Sequence, residues 1–278
     1  MTTNMSKGRA DLHIHTNASD GLLSPAMMIE FASLKGLQAV AVTDHDTTDG
    51  IDEAVAAGTA YHLEVIPGIE LNAQMDNNEV HILGYFIDRN SYKLQQVLSK
   101  MRNARRNRTQ KMLEKLIELY GFSITYDEIL NQVQGETIGR PHIARVLVSK
   151  GLVRNEKEAF DKYIGTDCHA YVGRYRITPE EAVSLIRDAG GVSVLAHPGL
   201  LTAEDSLDKV LKLGIQGIEA YHSKHTQEQS DYYTYMADSH GLIITGGSDC
   251  HGDLYNGIPI IGDVSVNTDV INLLRELL

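Results

Sequence analysis

Residues 36–46 read GLQAVAVTDHD, and this stretch decides the fold class. Gly36 closes a helix that opens at Ser24-Pro25, with proline at the first helical position, where a missing N–H is tolerated. Residues 38–43 (QAVAVT) read as a buried strand, with an unbroken apolar run over 39–42, the mark of a strand covered on both faces. The run ends abruptly on Asp44, His45 and Asp46. The same succession recurs outward in both directions. Residues 10–15 and 65–71 are strands, with an alanine-rich helix over 50–61 between strands 38–43 and 65–71, and residues 80–86 add one more strand. The rhythm returns near residue 178, where Thr178-Pro179-Glu180-Glu181 caps a helix, VSVLAHP is a strand, and further helices and strands follow to a last helix from Asp269. Apolar strands alternating with helices predict a parallel sheet covered on both faces, open or closed into a barrel.

Between these halves the pattern changes. Residues 92–120 keep a helical period with no strand signal, and two or three shorter helices follow, one of them in PHIARVLVSKG. Residues 90–177 carry a net charge of +7 against −19 for the remainder, so the overall −12 hides a strong asymmetry. The expected organisation is a barrel domain from residues 1–90 and 178–278, interrupted by a small inserted helical cap over 91–177. At 278 residues with 42% hydrophobic side chains the chain can build a large core, and no apolar run approaches the roughly 20 residues of a membrane span. The N-terminal stretch lacks a signal-peptide layout, and the two cysteines, Cys168 and Cys250, make no disulfide framework. A cytoplasmic location is expected. With twelve histidines, a metal site would use nitrogen and carboxylate ligands, which excludes structural zinc of the four-cysteine kind.

Nearly every expected strand ends in such a group. The first gives His13 and His15, which strand alternation puts on one face, with Asp20 in the loop beyond. Others end at His45, Glu70, His197, and Asp249 with His251. His81 stands at the start of its segment, which implies a strand of opposite direction or a loop returning to the same rim. In parallel α/β folds the carboxyl ends of the strands share one face, so these residues become neighbours. Their number exceeds the needs of one tetrahedral ion and predicts two or three divalent metals. His62, His169 and His240 lie away from strand ends and read as surface residues, and Cys168 as inert.

DLHIHTNASDG, AVTDHDT, PGIEL, HILGYF, AHPG and GSDCHG, in that order, resemble the motif series of the polymerase and histidinol phosphatase (PHP) superfamily of metal-dependent phosphoesterases. The resemblance implies a distorted seven-stranded β/α barrel with a trinuclear centre of manganese, iron or zinc. By motif, His13, His15, Glu70 and Asp249 would hold one ion, Glu70, His81 and His197 a second, and Asp20, His45 and His251 a third. Asp20 stands where some relatives have histidine, and a carboxylate suits a harder ion such as Mn²⁺. The helical insertion with its GRPHIA segment further resembles the branch of nucleoside 3′,5′-bisphosphate phosphatases and 5′-to-3′ exoribonucleases acting on short RNA. That likeness implies Arg140 and His142 as contacts to the phosphate that is not cleaved, with Arg174 a weaker one. The usual Pro-Ser-His ending is replaced by Ser223-Lys224-His225, and His225 is carried over as a substrate contact.

The implied activity is hydrolysis of a phosphomonoester, foremost the 3′-phosphate of a nucleoside 3′,5′-bisphosphate. Clustered metals ionise a bound water and clamp phosphoryl oxygens, so no Ser or Cys nucleophile is needed. Asp249 and His251 are expected to orient that water or shuttle a proton, and Asp44 and Asp46 to brace a ligating imidazole. The alternatives are 5′-to-3′ exonuclease action on short RNA, a histidinol-phosphate-type phosphatase, and a non-enzymatic metal- or RNA-binding regulator. The run Lys100, Arg102, Arg105, Arg106, Arg108, Lys111 and Lys115 is either a nucleic-acid guide or a solvated helix face, and no interleaved aromatic ladder supports a long single-strand track. No membrane and no obligate protein partner is indicated.

Overall fold

A computed structural model describes residues 8–76, 78–133, 138–173, 175–202, 206–255 and 257–278. The chain divides into two compact units, Met1–Gln96 with Arg176–Leu278, and Val97–Tyr175.

The first unit opens with β1 (Arg9–Ile14), α1 (Pro25–Leu34), β2 (Ala39–Val42), α2 (Ile51–Tyr61), β3 (Glu64–Met75) and β4 (Asn78–Tyr85). Helix α1 starts where the sequence predicts, with the Ser24 hydroxyl accepting the Met27 N–H and Pro25 at the first position. After the second unit, with α3 (Tyr92–Tyr120), α4 (Tyr126–Leu130), α5 (Arg140–Ser149) and α6 (Glu156–Ala159), the first resumes with α7 (Pro179–Asp188), which carries the expected Thr178–Glu181 capping box. It continues through β5 (Val192–Leu195), α8 (Ser206–Leu211), β6 (Gly217–His222), α9 (Gln227–His240) and β7 (Ile243–Gly247), then β8 (Leu254–Tyr255), β9 (Ile258–Pro259), β10 (Val266–Asn267) and α10 (Asp269–Arg275).

Eight strands form one sheet in the order β10-β1-β2-β3-β4-β5-β6-β7. Strands β1 to β3 run parallel, as do β5 to β7, and β4 is antiparallel to both β3 and β5, which is how His81 enters from the opposite direction. The ends nearly meet. A parallel bridge joins Ile14 to Cys250, His15 N–H donates to Cys250 C=O at 2.9 Å, and Asp249 N–H donates to His13 C=O at 2.9 Å. Only glycine fits this seam at position 247, because a Cβ there would stand 2.4 Å from the His13 backbone nitrogen.

One side of the sheet is lined by Ala10, Leu12, Ala41, Ile66, Leu83 and Val194, while Ile14, Val40 and Val42 pack on the other side with Met28, Ile29 and Ala54 of α1 and α2. Leu12 and Ile14 therefore face opposite ways although two residues apart. The β1–β2 register slips between Asp11 and Ile14, and this bulge turns His13 and His15 to the side of Glu70. A second slip falls in β6 between Glu219 and Tyr221, so that Glu219 and His222, three apart, share that same side. The second unit has its own core, in which Met112 and Leu116 of α3 meet Ile143 and Leu147 of α5. Among the described residues no helix is long and apolar enough to cross a membrane.

Candidate metal centre

Glu70 is fully buried in β3 and draws the imidazoles together. Its Oε1 lies 2.8 Å from His81 Nδ1 and 3.0 Å from His197 Nε2. Its Oε2 lies 2.8 Å from His45 Nδ1, 3.2 Å from His15 Nε2 and 3.4 Å from His13 Nε2, with none of the three aligned as a hydrogen bond. Opposite stands Asp249, whose Oδ1 is 3.1 Å from His15 Nε2 and 3.5 Å from His13 Nε2. A buried carboxylate oxygen ringed by nitrogens that do not hydrogen-bond to it is unfavourable by itself. A divalent cation shared by these atoms removes that deficit, so the donor set fits metal. Further out, His15, Asp20, His45 and His251 place one potential ligand atom each within 4.8 Å of one another, as do His45, Glu70 and His81.

The groups behind the rings decide which nitrogen is offered. His13 Nδ1 lies 3.0 Å from Glu219 Oε1, which fixes the proton there and leaves the Nε2 lone pair toward Glu70 and Asp249. His251 donates Nδ1–H to the Asp249 C=O at 3.0 Å, leaving Nε2 toward Asp20 at 3.5 Å. His81 Nε2 faces Glu79 Oε1 at 3.3 Å, leaving Nδ1 for Glu70. Asn72 Nδ2 stands 3.3 Å from His45 Nδ1 and is itself held by Asp46 Oδ2 at 2.9 Å, so Asp46 reaches its imidazole through an amide. Asp44 does not brace an imidazole. It accepts from the Thr16 N–H and hydroxyl, each at 2.7 Å, and from the Ser19 hydroxyl at 2.6 Å, tying down the loop that carries Asp20. Asp46, His197 and Asp249 have φ of +53°, +25° and +54°, strained for non-glycine residues and typical of residues held at functional sites.

Charge follows this crowding. Burial disfavours every charged form, yet the surrounding imidazoles, first His45 and His81, hold the Glu70 carboxyl well below the usual range, and His13 and His15 do the same for Asp249. Burial also opposes the His15 cation, but hydrogen bonds and charge from Asp249 and Glu70 push it up to about 10. Against the same burial, Glu70 and then Glu79 push His81 up to about 9. Burial alone dominates at His45 and His197, whose values fall.

Two buried groups here escape the sequence reading, Glu219 and His222. His222 ends β6, and its Nε2 lies 3.3 Å from Asp249 Oδ2. The signal was its position at a strand end, hidden because strict alternation from Glu219 leads to Tyr221. His225 sits nearby with both nitrogens on the backbone, Nδ1 at 3.0 Å from Ala220 C=O and Nε2 accepting the Gly199 N–H at 3.1 Å. His62, His169 and His240 are exposed, and Cys250 is buried, with burial pushing its thiol up to about 11.

Arg140 and His142 belong to the second unit. The Arg140 guanidinium lies over Phe160 and Tyr171, 5.3 and 5.6 Å from the ring centres, and Arg108 lies 5.4 Å over the same Tyr171. His142 is buried, and its Nδ1 accepts the Gly139 N–H at the start of α5. Arg174 lies outside the described residues. The basic run on α3 is not one solvated face. Arg108 is buried and donates to Val172 C=O at 2.7 Å, and Lys115 donates to the carbonyls of His169 and Tyr171, whereas Lys100, Arg106 and Lys111 are exposed.

The profile of the PHP domain matches residues 11–174, more than half of the chain. The chain belongs to the PHP domain family. A 3′,5′-nucleoside bisphosphate phosphatase from Chromobacterium violaceum is 34% identical over 247 residues, covering 87% of this chain and 86% of the relative. A 5′-3′ exoribonuclease from Haemophilus influenzae is 32% identical, covering 87% and 89%. Among solved structures, one described as a metal-dependent phosphoesterase from Bifidobacterium adolescentis superposes with a TM-score of 0.87 at 33% identity, over 97% of this chain and 96% of that one. The expected PHP membership, the α/β barrel and the phosphoric ester hydrolase class agree with these PHP relatives.

Proposed function

We propose that this PHP protein hydrolyses the 3′-phosphate of a nucleoside 3′,5′-bisphosphate at two or three divalent ions, Mn²⁺, Fe²⁺ or Zn²⁺. The observation that carries the reading is the convergence on Glu70 of five imidazoles from four strands, three of them facing a carboxylate oxygen with no hydrogen bond. Bound divalent ions there would supply an ionised water near neutral pH and neutralise phosphoryl oxygens. His13, His15, Glu70 and Asp249 would hold one ion, Glu70, His81 and His197 a second, and Asp20, His45 and His251 a third. Asp249 and His251 would also orient the attacking water or pass on its proton.

Beside these two residues lies a cavity of about 320 Å³, lined also by Ser223, Lys224, Asp253, Leu254 and Ile260. Lys224 Nζ, 3.9 Å from Asp249 Oδ2 and largely exposed, is placed to meet a phosphoryl oxygen. Leu254 and Ile260 offer an apolar wall for the nucleoside. In the second unit, Arg140 beside Arg108 is the candidate anion contact. His225 supports the His197-Pro198-Gly199 turn through Gly199 and so acts on the site by position.

The second reading is 5′-to-3′ exonuclease action on short RNA, favoured by the exposed cations of α3 and by the Haemophilus relative's activity. Release of phosphate and of mononucleotides with Mn²⁺ from a nucleoside 3′,5′-bisphosphate, 3′- and 5′-monophosphates and a short 5′-phosphorylated RNA separates the readings. Fastest release from the bisphosphate is expected, mononucleotide release from RNA alone selects the second reading, and no hydrolysis of any leaves a metal-binding regulator.

A further inference from the structure

His222 lies outside the ligand set assigned above, yet it is among the most enclosed polar groups of the site. It is 4% exposed, and its Nε2 has no contact aligned as a hydrogen bond. With His13 and Asp249 it forms a cluster whose potential ligand atoms lie within 4.8 Å of one another, so by proximity alone it could hold a cation. The other side of the ring argues otherwise. His222 Nδ1 accepts the Lys224 backbone N–H at 3.1 Å, which requires a lone pair on Nδ1 and therefore puts the ring proton on Nε2. That proton faces Asp249 Oδ2. His13 has the reverse arrangement, with its proton on Nδ1 toward Glu219 and its lone pair on Nε2.

The two oxygens of Asp249 consequently meet different surroundings, although His251 Nδ1, which donates to the Asp249 C=O, also lies 3.6 Å from Oδ1. Oδ1 faces the Nε2 atoms of His13 and His15 at 3.5 and 3.1 Å, nitrogens that can offer lone pairs to a cation. Oδ2 faces the Nε2–H of His222 at 3.3 Å and the Lys224 ammonium at 3.9 Å, both donors. The backbone of Asp249 is also held on both sides, its N–H by His13 C=O and its C=O by His251 Nδ1–H. The backbone contacts leave the carboxylate to be set by its side-chain neighbours, and the buried one on the Oδ2 side is His222.

We propose that His222 holds the Asp249 carboxylate with Oδ1 toward the metal site through the close approach of its Nε2–H to Oδ2, and is not itself a metal ligand. The role rests on the reading of Asp249 as a ligand. It is a positioning role, reached through Asp249, and it depends on the bulge in β6 that turns His222 inward.

The test compares His222→Gln with His222→Asn, measuring the Mn²⁺ dissociation constant by calorimetry on the full chain alongside kcat and KM. The Gln amide reaches the position of Nε2 and can donate there, and the Asn amide is too short. Outer hydrogen bonds to metal ligands typically change affinity by about 10–100-fold. Asn should weaken Mn²⁺ binding by about tenfold or more and lower kcat with little change in KM, and Gln should recover most of both. Loss in Gln as severe as in His13→Ala would make His222 a ligand and overturn the proposal, as would wild-type affinity in Asn. Wild-type protein that binds no Mn²⁺ would instead defeat the reading of the whole site.

Discussion

His13 and His222 approach one site from different strands, β1 and β6, and each is turned inward by a bulge. They differ in what stands behind the ring. A carboxylate behind His13 takes the Nδ1 proton, and a backbone N–H behind His222 takes the Nδ1 lone pair. One ring thus offers electrons to the centre and the other offers a proton. The difference teaches that in a crowded imidazole cluster, proximity does not make a ligand; the partner on the far nitrogen does.

The largest effect should come from removing the carboxylate that the lone-pair side shares. Glu70→Ala is expected to abolish Mn²⁺ retention in elemental analysis and to lower kcat by on the order of a thousandfold or more, since both nucleophile and charge neutralisation depend on the ions. Near-normal turnover would break the comparison at its root. Next comes the group that sets the His13 tautomer. Glu219→Gln no longer demands a proton on Nδ1 and also touches the His197 N–H, at 2.8 Å. A loss of about 10–100-fold in metal affinity is expected, and none in a titration would show that the far partner is immaterial. On the donor side the effect is smaller. Lys224→Met should raise KM for a bisphosphate by about tenfold, the worth of one charge-assisted hydrogen bond, while metal content stays unchanged.

Protons give a further test. In the metal-free protein His15 is pushed up to about 10 and His81 to about 9, so both rings are charged at pH 7. These folded values lie above the ordinary imidazole value, and the stability they contribute is full below about 6.5 and lost as pH rises through 9 to 10. Metal must displace those protons. Calorimetric titration with Mn²⁺ in buffers of different ionisation enthalpy should show release of at least one proton per chain at pH 7, with affinity rising as pH rises. Binding without proton release would contradict the assignment of these rings as ligands.

Much of this was legible in the residues. The order of strands and helices follows from apolar runs such as QAVAVT punctuated by Gly36 and Pro25, and the 29-residue α3 has the bounds its periodicity predicts. The groups at the strand ends were legible too, because polar residues terminating apolar runs are conspicuous. What alternation could not show was which face a strand end presents. Counting from Ala10 and Leu12, His13 would face the helices, and counting from Glu219, Tyr221 would face the site. A slip of one residue reverses both, and it leaves no mark in hydrophobic pattern. The role of Asp44 was equally hidden, since its partners Thr16 and Ser19 belong to a loop whose path no periodicity describes. Nor did the charge of α3 reveal that Arg108 is buried over Tyr171.

The most direct test of the central claim, a metal-dependent phosphoesterase built around Glu70, is release of inorganic phosphate from adenosine 3′,5′-bisphosphate by the purified full chain. Activity that requires Mn²⁺, disappears after chelation, returns on readdition and is absent in Glu70→Ala is the predicted result. Equal turnover by the chelated protein, or no release from this or any other phosphoester with full metal occupancy, would contradict it.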